Sequence, residues 1–206
     1  MKPEDLIRAR YGALPFTPPE AIPPALAALL DRRVTRRYSA EAVSEALLDT
    51  VLAAAQSAPS KSDLQQYSII VTRDPVKIAK VADWIGTMPW IKDAPVLLIF
   101  CGDMRRGQAA CAQHGREHAN NNMDTFLNTA VDAALALGAA IAAADAAGLG
   151  TCPISYVRSH IEKVAPLFTL PKGVYPVAGL SLGWPMARNE VTPRLPPSVV
   201  FHREAY

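Results

Sequence analysis

A chain of 206 residues is long enough to bury a core and short enough to form one domain. Half of its residues are apolar and 19% are charged, an ordinary globular balance, while a net charge of +2 excludes a surface built to track a nucleic-acid duplex. Cys101, Cys111 and Cys152 form no CxxC pair, and the opening MKPEDLIRAR lacks the apolar run of a secretory signal, so a reducing cytoplasm is the expected setting.

Six of the 18 prolines fall within residues 1–24 (Pro3, Pro15, Pro18, Pro19, Pro23 and Pro24), which predicts an extended arm there and a single domain over residues 25–206. Pro23-Pro24 opens a short helix through Leu26, Leu29 and Leu30. Ser39 is the expected N-cap of the next helix. In it Val43, Leu47, Leu48, Val51, Leu52 and Ala55 recur at three- and four-residue spacing, and Pro59 ends it. Tyr67–Thr72 reads as a strand closed by Asp74-Pro75, and residues 76–85 as a helix. Residues 95–101 are a continuous apolar run, as expected of a strand covered on both faces. Residues 104–122 are polar and show no clear period. Residues 124–147 predict a long helix stopped by Gly148. Its uncharged stretch, residues 133–144, is bracketed by Asp132 and Asp145 and falls short of the roughly 20 apolar residues of a membrane span. A buried core helix is expected instead, with side chains small enough for close approach by other helices in the domain or in a dimer. Ile161–Leu167 reads as a helix, residues 177–182 as a buried strand, and residues 199–201 as an apolar run able to extend a sheet edge. The order is α+β, with few strands and dominant helices.

Two polar segments lie beside helix boundaries. Arg32-Arg33-Val34-Thr35-Arg36-Arg37-Tyr38 offers guanidinium groups suited to a bidentate grip on one phosphate, although a solvated basic loop would carry the same residues. Ala58-Pro59-Ser60-Lys61-Ser62-Asp63-Leu64-Gln65 offers hydroxyls, an ammonium and a carboxyl group just past a helix cut by proline; an ordinary turn is the bland alternative. Further on come Gly148-Leu149-Gly150-Thr151-Cys152, then Gly179-Leu180-Ser181-Leu182-Gly183-Trp184-Pro185, and Thr192-Pro193-Arg194-Leu195-Pro196 followed by Val199-Val200-Phe201-His202. In this order and spacing the segments resemble the flavin-dependent nitroreductases, in the branch of NADPH-preferring nitroreductases and flavin reductases. The resemblance covers roughly residues 28 to 206 and leaves the arm outside.

The resemblance implies a central, mainly antiparallel sheet flanked by helices, with a long buried core helix. It also implies a homodimer with FMN at the interface and NAD(P)H as co-substrate, serving a small-molecule electron acceptor. Arg32, Arg33, Val34 and Arg36 would hold the FMN phosphate and ring edge, with Arg158 reaching the phosphate. Pro59, Ser60, Lys61 and Asp63 would lie near the isoalloxazine, and Ile154, Ser155 and Tyr156 near its reactive face. Tyr156 and Arg194 would meet substrate. No side-chain nucleophile is required, because flavin N5 does the chemistry.

The chain departs from the family pattern at Asp63, where asparagine is common, and at Gln66-Tyr67, where a proline-tryptophan pair is usual. It departs again at Ile154-Ser155-Tyr156, where I-G-G is frequent, and at Met88-Pro89-Trp90, where the branch often has glutamine. Tyr156 either narrows the acceptor space or packs in the core. His114 and His118 have helical spacing for a shared metal but no third ligand, so surface histidines and no metal are expected. Cys152 reads as a small buried thiol. Gly148-x-Gly150 follows a helix and is too short for a dinucleotide fingerprint. Two other readings stay open: a flavoenzyme of the same fold with another reaction, such as dehalogenation or flavin cleavage, and a non-enzymatic flavin-binding protein.

Overall fold

A computed structural model describes residues 2–206. In chain order the elements are α1 (Pro3–Tyr11), α2 (Pro24–Leu30), α3 (Glu45–Gln56), β1 (Tyr67–Thr72), α4 (Pro75–Ile85), β2 (Val96–Asp103), α5 (Arg105–Gln113), α6 (Met123–Ala146), β3 (Gly150–Ile154), α7 (Ile161–Leu167), β4 (Val174–Gly183) and α8 (Pro197–Val200). Contacts divide them into two units: one joins the segment ending at Thr35 to Ala187–Tyr206, and the other is Arg36–Met186.

The larger unit is built on an antiparallel sheet which, among the described residues, has four strands in the order β1-β2-β4-β3. Side chains of β2 alternate between two cores. Val96, Leu98 and Phe100 join Leu180, Leu182, α3 and α6 on one face. Leu97, Ile99 and Cys101 meet Ile78, Val81 and Ile85 of α4, together with Ile154 and Val157, on the other. Both faces are dry, which is why this strand reads as apolar at every position and not as an alternation. Each such side chain contributes about 1.5–3 kcal/mol by leaving water. Burial, with Asp103 nearby, pushes the pKa of the Cys101 thiol up to about 12.

At the end of β4 the packing permits only glycine. A Cβ on Gly183 would stand 2.5 Å from Pro95 Cγ and 2.9 Å from the Tyr38 ring. The space saved admits the Tyr38 ring, whose hydroxyl lies 2.7 Å from Ser181 Oγ. Burial raises the Tyr38 pKa, so this hydroxyl stays neutral.

The long helix α6 is capped by Asn122, whose side chain accepts from the Thr125 amide at 3.2 Å. Thr125, Thr129, Asp132, Ala133, Ala136, Ala140 and Ala144 form its buried face, and the alanines let it lie close against the sheet and α3. Just past its end Gly148 takes φ 80°, a left-handed turn that suits glycine. Away from that face Met123, Leu127, Val131 and Leu135 are exposed, so only one side of the helix is covered by its own chain. Among the described residues, α6 is the one helix long and apolar enough to cross a membrane, by length and composition alone. Its packed face and its buried aspartate make it the core helix of this unit.

Three local expectations are corrected. The cap of α3 is Ser44, whose Oγ accepts from the Leu47 amide at 3.3 Å; Ser39 instead accepts from Glu41 in a local turn. Residues 199–201 add to no sheet edge, because Pro197 starts the short helix α8 and leaves Val199, Val200 and Phe201 exposed. Nor is the arm extended throughout. Pro3 sits in the first turn of α1, where its missing N–H costs nothing. Glu4 and Asp5 follow in that turn, Arg8 and Arg10 close the last, and Gly12 at φ 75° stops the helix. Leu6 and Ile7 are buried, so α1 is a packed element. The remaining prolines of the arm, from Pro15 to Pro23, lie outside regular helix and strand.

Candidate functional site

The turn that follows α3 is the most distorted backbone in the larger unit. Ser62, Asp63 and Gln65 have φ of 53°, 54° and 48°, left-handed values that cost an L-residue about 1–2 kcal/mol each. Asp132, from the middle of α6 and 1% exposed, holds this shape. Its Oδ1 accepts from the Lys61 amide at 2.8 Å and its Oδ2 from the Gln66 amide at 3.1 Å. Ser60 Oγ accepts from the Gln65 amide at 3.1 Å, and Arg106 donates to the Gln65 carbonyl from outside. The result is a rigid loop on which Pro59, Lys61 and Asp63 are exposed, with Lys61 Nζ 2.9 Å from Ser62 Oγ. Strain of this kind persists where the surroundings over-determine it, and it gathers at ligand sites.

A second polar segment leaves the far edge of the sheet. Ile154 ends β3 fully buried, Ser155 and Tyr156 open a 3-10 turn on the surface, and Val157 returns to the core. Tyr156 is 45% exposed and tilts against His160 at a ring-centroid distance of 6.0 Å, so the core-packing alternative for Tyr156 falls. Arg158 is exposed and donates to the Val177 carbonyl at 2.9 Å. Arg36, also in this unit and exposed, places its guanidinium 5.9 Å from the Trp90 ring centroid, within the range of cation–π attraction.

The smaller unit holds the other arginines. Arg33 closes on Asp31 through its side chain at 2.8 Å and through the Asp31 carbonyl at 2.8 Å; Arg188 meets the same carboxyl group. The Val34 carbonyl accepts from the Asn189 side chain at 2.5 Å. Arg194 is exposed, and its guanidinium curls back on the carbonyls of Thr192 and Pro193. Beneath them lies Arg10 of α1, 6% exposed. It donates at 2.7 Å to the carbonyls of Leu30, Arg32 and Thr192, and its own carbonyl accepts from the Arg194 amide at 2.8 Å. Burial, then the cations of Arg194 and Arg32, lower the basicity of Arg10.

Sequence reasoning missed Asp132, Arg106 and Arg10. The first had a readable signal, since an acidic residue that interrupts an otherwise alanine-lined helix face must find buried donors. The other two act on backbone carbonyls far along the chain, and no spacing rule reveals that.

With this geometry in hand, likeness to known proteins is specific. The family model described as the Nitroreductase family matches residues 29–184. A Bacillus subtilis (strain 168) protein named FMN reductase, NAD(P)H, is 41% identical over 180 residues, covering 86% of this chain and 72% of the relative. The oxygen-insensitive NADPH nitroreductase of Salmonella typhimurium is 34% identical over 185 residues, covering 89% and 75%. Among solved structures, B. megaterium NfrA2 superposes with a TM-score of 0.87 at 39% identity, covering 90% of this chain and 76% of that one.

The Asp132 tether generates one expectation. Asp132→Ala leaves the Lys61 and Gln66 amides without their acceptor, which costs about 1–3 kcal/mol for each orphaned group. Urea denaturation is expected to show the loss, and Asp132→Asn a smaller one. An unchanged midpoint in Asp132→Ala would remove the tether from this account.

Proposed function

The chain belongs to the nitroreductase family, and from that premise we propose that it is an FMN-dependent oxidoreductase. It carries hydride from NAD(P)H to small acceptors such as nitroaromatics, quinones or free flavins. The observation that carries this reading is the strained Ser60–Gln65 turn (residues 60–65), held by Asp132 where the family pattern expects isoalloxazine contacts. Bound flavin supplies N5 as hydride acceptor and donor, so the chain's own residues bind, orient and tune.

The residues present fit such a group. Lys61 offers a fixed amide frame and an exposed cation suited to the negative charge of reduced flavin. Pro59, Ser60 and Asp63 shape the same loop. Ile154, Ser155 and Tyr156 take the side of the reactive face, and the half-exposed Tyr156 ring limits the room for acceptors. In the larger unit, Arg36 and Arg158 supply cations for the phosphate and ring edge. Arg194 faces substrate. The three cysteines are free thiols, which suits a reducing cytoplasm.

The protein works as a homodimer joined through α6. Leu127, Val131 and Leu135 form an apolar stripe on its exposed face. Gly138 continues the stripe, and a Cβ there would meet nothing within 4 Å of its own chain. A mid-helix glycine costs about 1 kcal/mol relative to alanine. A partner backbone at close range would give that cost a purpose.

The deciding experiment is anaerobic stopped-flow of the purified protein, which is expected to be yellow and to bleach on mixing with NADPH or NADH. Steady-state turnover is then expected to give parallel double-reciprocal lines, as one site serves donor and acceptor in turn. A protein that takes up no FMN at high micromolar flavin would end this reading. For Tyr156→Gly, relative kcat/KM is expected to shift toward bulkier acceptors with FMN affinity nearly intact; an unchanged ratio would remove Tyr156 from the acceptor site. Sedimentation is expected to give a dimer, and Val131→Glu with Gly138→Leu to weaken it. A flavin-loaded wild-type monomer would contradict the α6 interface.

A further inference from the structure

The strained turn after α3 is gripped from two sides. Asp132 holds its two ends from within, taking the amides of Lys61 and Gln66. Arg106, in the first turn of α5, reaches back 41 residues along the chain and donates through Nη1 to the Gln65 carbonyl. Gln65 is one of the left-handed residues of the turn, with φ 48°. Its carbonyl already accepts from the Tyr67 amide at 2.8 Å, so Arg106 is not needed to satisfy it. The second bond fixes the direction of that carbonyl, and with it the peptide plane at the exit of the turn.

Arg106 is itself held in place. Asp103 ends β2 with a side chain only 13% exposed, and its Oδ2 lies 4.0 Å from Arg106 Nη2. The same oxygen accepts from Ser68 Oγ at 2.7 Å, and Ser68 Oγ stands 3.5 Å from Arg106 Nη2. Asp103 Oδ1 accepts from the Arg105 amide at 3.0 Å, which fixes the start of α5. The Asp103 amide donates to the Gln66 carbonyl at 3.0 Å. One strand end thus anchors the start of the helix, the guanidinium and the exit of the turn. α5 buries none of its residues, so its arginines are not required by either core. The planar fork of Arg106 nonetheless spans two directions, one nitrogen on the turn and one beside Asp103.

We propose that Arg106 is a positioning residue for the bound flavin ring, locking the Gln65 end of the turn so that the groups around Lys61 keep their place at the isoalloxazine. This rests on the flavin reading above. In that reading the turn meets the ring and not the phosphate, so loss of Arg106 weakens phosphorylated and unphosphorylated flavin alike.

Apoprotein stripped of flavin is titrated with FMN and with riboflavin, which lacks the phosphate, for wild type, Arg106→Ala and Arg106→Lys. Arg106→Ala is expected to lower both affinities about fivefold, the scale of one hydrogen bond, with their ratio unchanged. Arg106→Lys keeps the charge but not the fork, and recovers part of the loss. Hydrogen exchange of the flavin-free protein is read alongside: amides of residues 61–66 exchange faster in Arg106→Ala, and those of β2 are unchanged. Arg73→Ala is the control, because Arg73 pairs with Glu45 at 3.1 Å just past the other end of β1 and does not touch the turn. Unmoved affinity for both flavins in a folded Arg106→Ala overturns the proposal, even where the melting temperature falls. So does a loss confined to FMN, which would put Arg106 at the phosphate, and so does an equal loss in Arg73→Ala. Should Arg106→Ala fail to fold, Arg106→Lys decides on the same two affinities. A wild type that binds neither flavin sinks the functional reading and the proposal with it; a binding wild type with unmoved variants sinks the proposal alone.

Discussion

The contact on which the larger unit turns is the buried carboxyl group of Asp132. It sits one helical step from alanines that bring α6 against the sheet, and its two oxygens are satisfied by amides of the Lys61–Gln66 loop (residues 61–66). A carboxyl group in that place would be costly without donors, and the loop would relax without its acceptor. Each supports the other. Three non-glycine residues in left-handed conformations are thus tolerated within a stretch of four, because the helix that fixes them is itself fixed by the core. Site and core are therefore one mechanical object, and the position of the loop is only as good as the packing of α6.

That packing depends on a central strand, β2, that is dry on both faces. A strand such as β2 must then be apolar throughout, and the polar chemistry is pushed to the ends of elements: the exit from α3, the end of β3, the start of β2's following loop. Gly183 and Tyr38 show how tightly the ends are set. The missing Cβ makes room for Tyr38, and the bond from Tyr38 to Ser181 ties the chain at that point to the centre of the sheet. Polar residues placed on such a frame keep their positions without needing bonds among themselves.

Much of this was legible in the sequence. The strand at Tyr67–Thr72 and the helix at Ile161–Leu167 have the bounds that their composition and punctuation predict, and the long helix ends where Gly148 allows a left-handed turn. The motif order pointed to the family that the comparisons bear out. What escaped was of two kinds. Caps were misjudged where two serines competed, because Ser39 and Ser44 differ only in which one precedes a residue with helical backbone. The amino-terminal arm was read from its prolines, yet only Pro3 falls in α1, at the one place where a helix accepts it. Long-range side chain to backbone bonds, such as those of Arg10 and Arg106, leave no periodic trace at all.

The arm shows why that second kind of omission matters. A helix of nine residues is too short to stand alone in water, so α1 exists through the burial of Leu6 and Ile7 and through the bonds of Arg10. Were the helix merely a lid on apolar surface, a leucine at position 10 would serve as well and would avoid placing a cation beside Arg32 and Arg194. An arginine that donates to three carbonyls is instead a device for joining two loops at a fixed distance. The family's shared region supplies the arginine-rich loop, and α1 supplies the constraint that keeps that loop in register with residues 192–194.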